Sequence, residues 1–266
     1  MSFARTRFGG GVIAATVTAV IGTAFGVYVS SDSAPPNPSE VCGPSLAWWY
    51  EAGDDHVTLN DGNVAQLDDR GPGGFHLTQA FAGDQPAYYS SGFGAKSIPY
   101  IEGNDVSDYL ANSSMSIAAG TRTHWVVGAV DTSADRRLFV ADDQNPPGSY
   151  SSSHIFLQGK ATGGGSYQFS QSNDFVTISG ADTSPHVFHI HLIAGGTRTW
   201  KIDGVAGTPQ WTGNTEARTV ETVAVFSPFD TLGGGQFAIA VACDNPTAEQ
   251  ETAIETYLTY RTGIAL

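Results

Sequence analysis

The final stretch, Gly234–Leu266, reads GGQFAIAVACDNPTAEQETAIETYLTYRTGIAL and constrains the fold more than any other part of the chain. An apolar strand runs into an acidic turn and then into one short amphipathic helix. Thr247 is a good N-cap, and Gln250 three residues on completes the capping-box spacing. Ile254, Tyr257, Leu258 and Arg261 follow at helical spacing, and Gly263 supplies the stop. Everything from Leu46 to this helix reads as strands and turns. The chain therefore predicts a mostly β domain closed by one C-terminal helix.

The strands are short and closely spaced. Leu46–Tyr50 opens the series, and Val57–Leu59 and Val64–Leu67 flank Asn60-Asp61-Gly62, whose Asp-Gly pair carries hairpin chemistry. Asp68–Gly74 (DDRGPGG) is a tight loop. His124–Val130 (HWVVGAV) and Val187–Ile193 (VFHIHLI) read as central strands. Shorter strands fall at Leu138–Ala141, His154–Gln158 and Tyr167–Ser170, and Trp200–Ile202 with Asp203-Gly204 and Val205 forms a hairpin tip. Thirty-two glycines and thirteen prolines supply the reversals this spacing needs. The pattern predicts an all-β, antiparallel two-sheet sandwich, and 266 residues at 41% apolar suffice for one sizeable core.

The N-terminal residues behave separately. Arg5 and Arg7 lead into Gly9–Val29, which carries no charge. Residues 1–34 suit a secretory signal, a membrane span through Gly9–Val29 with the small pair Gly22/Gly26, or an apolar arm docked on neighbouring subunits. The docking arm is the preferred reading. Residues 35–44 read as a proline-rich linker, and the domain occupies 45–266. Cys42 and Cys243 either close a very long loop as a disulfide or remain as two thiols. With no nearby partner, they make no zinc site. A net charge of −14 removes the basic footprint that nucleic acid needs.

Four patches carry a family resemblance. They are Leu46–Ala52 (LAWWYEA), the run Asp69–Gly74 with Phe75-His76-Leu77-Thr78-Gln79-Ala80 and Gln85-Pro86-Ala87-Tyr88, the segment Ile101-Glu102-Gly103 to Asp108-Tyr109-Leu110, and the strand–helix ending. In these the chain resembles the concanavalin A-like (laminin-G-like) jelly-roll domains of bacterial surface proteins and phage virion proteins. The resemblance spans about residues 45–266 and implies a jelly-roll sandwich. It leaves either no cofactor or a rim calcium with Asp105 and Asp108 as ligands, because hard cations take several loop oxygens.

Chemistry is sparse in the sequence. A retaining glycanase needs two carboxylates about 5–5.5 Å apart, and no Glu-x-Asp-x-x-Glu run is present; Glu102, Asp105 and Asp108 are the nearest approach. His189 and His191, two apart on one strand, share a face. Such a pair can bind a metal, but the alternation with Phe188, Ile190 and Leu192 makes two histidines on a polar sheet face the preferred reading. Sugar binding needs an exposed aromatic platform beside polar side chains; Trp211 in a turn-like loop is the first candidate, with Tyr150 and Asn214 beside it as further ligand candidates. Trp48, Trp125 and Trp200 sit in strand patterns and read as core. Together with the resemblance, this predicts a non-catalytic virion structural protein on a phage tail or head, docked on other virion subunits through residues 1–34. It would belong to a homo-oligomer or larger assembly and meet a host glycan. The alternatives are a secreted or membrane-anchored lectin-like protein and, last, a glycanase.

Overall fold

Alternating apolar residues build two hydrogen-bonded layers, and one of those layers is buried on both of its faces. The structure, a computed structural model, describes residues 33–103, 107–130, 136–142, 153–160, 166–171, 174–179, 181–192, 198–207, 219–226 and 232–266. The chain divides into two units, Met1–Ser33 and Ala34–Leu266, and the elements that follow belong to the second. The expected arm, Gly9–Val29 included, lies outside the described residues. Among those described, no helix is long and apolar enough to cross a membrane.

In chain order the elements begin with helix α1 (Pro38–Cys42), then β1 (Leu46–Glu51), β2 (Val57–Asn60), β3 (Asn63–Leu67), β4 (Leu77–Thr78), β5 (Ala87–Phe93) and β6 (Ile98–Gly103). Next come β7 (Leu110–Asn112), β8 (Arg122–Val130), β9 (Arg136–Asp142), β10 (Ser153–Lys160), β11 (Ser166–Gln171) and β12 (Asp174–Ser179). The last are β13 (His186–Leu192), β14 (Arg198–Ile202), β15 (Val205–Ala206), β16 (Thr222–Val225), β17 (Leu232–Gly233), β18 (Gly235–Asp244) and helix α2 (Ala248–Thr262).

One layer pairs β1 with β18, β18 with β8, β8 with β13 and β13 with β14, all antiparallel. The other runs from β2 and β3 through β4, β7, β16, β9, β10 and β11 to β12. The β5–β6 hairpin links them at an edge, β6 pairing with β18 and β5 touching β3. The fold is an all-β antiparallel sandwich with one short C-terminal helix.

Every residue of β8 is buried. Val126 and Val130 point between the two layers with Trp48, Phe188 and Phe237, whereas Trp125, Val127 and Ala129 point outward under Ile254 and Leu258 of α2. Such a strand has no solvent side, so its Trp125–Val130 stretch reads as a continuous apolar run. The turns use the chemistry the sequence offers. Asp61 and Gly62 both take positive φ, +51° and +88°, as a two-residue hairpin turn with the strands' own twist requires.

Helix α2 is built by its caps. Thr247 and Gln250 exchange capping-box hydrogen bonds, and Gly263 at φ +74° donates its N–H to the Thr259 carbonyl. The expected linker at 35–44 is corrected. Asn37 caps α1 with its own capping box to Glu40, with Pro38 in the first turn. This helix packs at the base of α2: the Gln250 amide donates to the Val41 carbonyl at 2.9 Å, and Cys42 is disulfide-bonded to Cys243, 201 residues away.

Replacing both cysteines by serine is expected to destabilise the domain by about 2–5 kcal/mol, read by denaturant unfolding, because the bond closes most of the chain into one loop. His186 bridges the hairpin tip. Its Nδ1 lies 2.6 Å from Asp203 and its Nε2 2.9 Å from Asp182. The Asp203 bond chiefly, with the Asp182 bond and both charges, raises its pKa against the opposing effect of burial. A raised folded-state pKa stabilises below the unfolded value near 6.5 and loses that contribution as pH rises through the folded value. His186→Gln should therefore destabilise more at about pH 5.5 than at about pH 8.5.

Candidate functional site

Where α2 crosses the end of β1, the outer face opens into a cleft of about 720 Å³ walled by α1, the 54–56 turn, β1 and the last turns of α2. Its floor is Glu51. Strand alternation turns this carboxylate outward from the sandwich core, and its side chain is only 2% exposed. Such a burial demands partners, and four donors supply them. Arg70 Nη1 donates at 2.5 Å and the Tyr257 hydroxyl at 2.8 Å to Oε2. Arg261 donates through Nε at 2.7 Å and through Nη2, both to Oε1.

The loop after β3 is shaped to deliver Arg70. Asp69 accepts the backbone N–H of Trp49 at 3.0 Å, of Gly71 at 2.8 Å and of Phe75 at 2.9 Å. A Cβ on Gly71 would stand 2.9 Å from Asp69 Oδ1 and 3.2 Å from the Trp48 backbone, so a side chain there would crowd the carboxylate that holds the loop. Arg70 then lies over Trp49, its guanidinium carbon 3.5 Å from the ring centroid. The edge of Tyr257 meets the same tryptophan at 5.9 Å between centroids.

Burial, reinforced by Glu51, pushes the Tyr257 phenol well above its ordinary pKa. Burial would lower Arg261, but the adjacent Glu51 carboxylate outweighs it and raises the guanidinium. His56 is lowered, first by burial and then by Arg70, so it is neutral near pH 7. Tyr260, half exposed, presents its ring at the rim. The cleft thus holds rigid donors and acceptors around one open aromatic ring.

A second polar cluster lies near the start of α2. His189 and His191 project from β13 toward the helix, where His189 Nδ1 lies 2.8 Å from Glu255 and His191 Nδ1 lies 2.9 Å from Glu251. Thr123 of β8 donates to Glu251 at 2.9 Å, and Lys201 of β14 to Glu255 at 2.8 Å. The polar-face alternative holds for this strand in the sense that Phe188, Ile190 and Leu192 take the core side. That polar face is covered, however, with His189 buried and His191 half-buried.

The sequence's own candidates fall elsewhere. Trp211, Asn214, Tyr150 and Asp105 lie outside the described residues. Asp108 is buried and engaged within the protein. Trp48, Trp125 and Trp200 are core. The cleft residues Glu51, Arg70 and Arg261 were not visible as a site. They come from a strand end, a loop and a helix far apart in sequence, and no local spacing joins them.

No protein-family model and no curated protein matches the sequence. Solved structures do match the fold. One is a GH54 α-L-arabinofuranosidase soaked with a cyclic sulfate inhibitor, at TM-score 0.56 and 10% identity, covering 82% of this chain and 59% of that one. Another is Trypanosoma rangeli sialidase in complex with sialic acid, at TM-score 0.56 and 10% identity, covering 88% of this chain and 36% of that one. The chain thus spans about three-fifths of the first and about a third of the second. At such identity the likeness is one of fold, and the fold is of a kind that glycosidase chains contain. The expectation of a virion structural protein is corrected by these matches, whose fold is shared with parts of an arabinofuranosidase and a sialidase.

Glu51→Gln removes the charge that two guanidinium groups and a phenol share. It is expected to destabilise the domain by about 1.5–3 kcal/mol in denaturant unfolding, the range for hydrogen bonds to a charged group. Tyr260→Ala, at the exposed rim, should leave stability within about 0.5 kcal/mol.

Proposed function

We propose that this chain is a glycan-recognising domain of carbohydrate-processing type that holds a neutral saccharide in the cleft between β1 and α2. The observation that carries the reading is the cleft itself, where the open ring of Tyr260 stands beside guanidinium and carboxylate groups already fixed by one another. A sugar presents an apolar face to an aromatic ring and hydroxyls to charged donors and acceptors, and it loses least on binding when those groups are pre-positioned. The fold's likeness to parts of an arabinofuranosidase and a sialidase supports the carbohydrate class. The resemblance to concanavalin A-like domains supports it as well.

Charge argues for a neutral ligand. Arg70 and Arg261 contribute two positive charges to the lining, against four negative from Glu40, Glu51, Asp54 and Asp55. A carboxylated sugar would meet a net negative wall, so the arabinofuranosidase neighbour is the better guide than the sialidase in complex with sialic acid.

Glycoside hydrolysis is a second reading, favoured by the extent of the arabinofuranosidase match. Glu51 is unsuited to serve as its nucleophile or acid, since four protein donors already fill its oxygens. Titration calorimetry against neutral and uronic oligosaccharides tests the proposal. Neutral sugars should bind, and Tyr260→Ala should weaken them by at least about tenfold, equivalent to about 1.4 kcal/mol. Binding unaffected by that change, or confined to acidic sugars, would remove the cleft as the site. Release of reducing ends from the same oligosaccharides would promote the second reading.

A further inference from the structure

The side-chain cluster between β13 and α2 contains a histidine whose surroundings leave one nitrogen unexplained. His189 is 3% exposed. Its Nδ1 lies 2.8 Å from Glu255 Oε1, and an ionised carboxylate only accepts, so Nδ1 carries the proton. The lone pair then sits on Nε2. That atom is buried and has no hydrogen-bond partner; the nearest charged oxygen, Glu251 Oε1, is 3.9 Å away. An orphaned buried nitrogen is costly and calls for an explanation.

A metal ion supplies one. Ring nitrogens of His189 and His191 and a carboxylate oxygen of Glu251 all lie within 4.8 Å of one another. With metal–nitrogen and metal–oxygen bonds near 2.0–2.2 Å, neighbouring ligands of a tetrahedral zinc stand roughly 3.3–3.5 Å apart. The observed Glu251 Oε1 separations, 2.9 Å to His191 Nδ1 and 3.9 Å to His189 Nε2, bracket that spacing, and the ion takes the place of the proton that His191 Nδ1 shares with Glu251, which is released to solvent on binding. The outer contacts fit as well. Glu255 holds the far nitrogen of His189, as a carboxylate commonly does behind a metal-bound histidine, and Lys201 holds Glu255 at 2.8 Å. Thr123 Oγ1, 2.6 Å from His191 Nδ1 and 2.9 Å from Glu251, lines the same space.

We propose that His189, His191 and Glu251 form a binding site for a zinc-class divalent transition metal, oriented by Glu255, that clamps the start of α2 to the sheet. Two imidazoles and one carboxylate suit zinc and its neighbours and do not suit calcium, which takes oxygens. Three protein ligands leave a fourth position for water. The site is distinct from the glycan cleft: Glu251 and Arg261 are ten residues apart on α2, about 15 Å along its axis. Its role is therefore to stabilise, through binding the folded state and not the unfolded chain.

The test is zinc titration of the full, tag-free chain after chelator treatment, with calorimetry and thermal unfolding read together. The result expected is one zinc per chain with sub-micromolar affinity and a rise in Tm. His191→Ala, at the less buried of the two histidines, should abolish both while the apo chain still unfolds cooperatively. Glu255→Gln should weaken binding by about 10–100-fold while leaving one site, the loss typical of an outer-shell partner. Cobalt substitution should give the visible spectrum of a tetrahedral ion, and His191→Ala should remove it. No zinc binding by the wild-type chain, or binding equally retained in His191→Ala and His189→Gln, would overturn the assignment.

Discussion

The constraint on which the rest depends is the seating of α2 on the outer face of the β1–β18–β8–β13 layer. Without it, Trp49, Trp125, Val127, Val241 and the outward residues of β13 would face water. With it they form a second apolar core, separate from the one between the two sheets. Polar ties hold the helix near both ends. Its first turns meet His189, His191 and Thr123, and its last turns meet Glu51 through Tyr257 and Arg261. Apolar burial supplies the affinity in the middle, and the charged contacts fix rotation and register, since a helix turned by one residue would leave Glu51 buried without its partners.

The candidate site follows from this arrangement. A helix lying on a sheet leaves a trough where it overhangs the strand end, and here α1 closes the far side through the disulfide and the Gln250–Val41 hydrogen bond. The cleft residues serve stability and, in the proposed function, recognition as well. Arg70 and Arg261 neutralise Glu51, and the same contacts hold their remaining N–H groups in place. The surroundings of Tyr260 are therefore organised before any ligand arrives, which lowers the entropy cost of binding.

Much of the fold was legible, for local reasons. The caps of α2, the Asp61-Gly62 turn and the two-sided burial of β8 are each written within a few consecutive residues. The start of the domain was misread although its signal was present. Asn37-Pro38-Ser39-Glu40 carries a capping box and a first-turn proline, but the neighbouring prolines and serines gave it the look of a spacer. Glu51 read as the end of an apolar strand, and only the tertiary arrangement brings Arg70 and Arg261 to it. The histidine pair was visible as two residues on one face. Glu251 and Glu255 were not visible as its partners, because nothing in a sequence says which helix face will cover a given strand. The function assigned to the sequence came from resemblance and missing motifs, and both are weak guides where the site is assembled across distant segments.

The most direct test of the account is an ¹⁵N–¹H spectrum of the tryptophan indole groups during titration with a neutral oligosaccharide. The chain has five tryptophans, and they separate the sites cleanly. Trp49 lies in the cleft beneath Arg70, whereas Trp48, Trp125 and Trp200 belong to the core. Trp211 lies in the loop that the sequence alone favoured. A saccharide seated between β1 and α2 should shift the Trp49 resonance and leave Trp211 in place. Movement of Trp211 with Trp49 unchanged, or no movement of any indole, would contradict the cleft as the place where this protein meets its ligand.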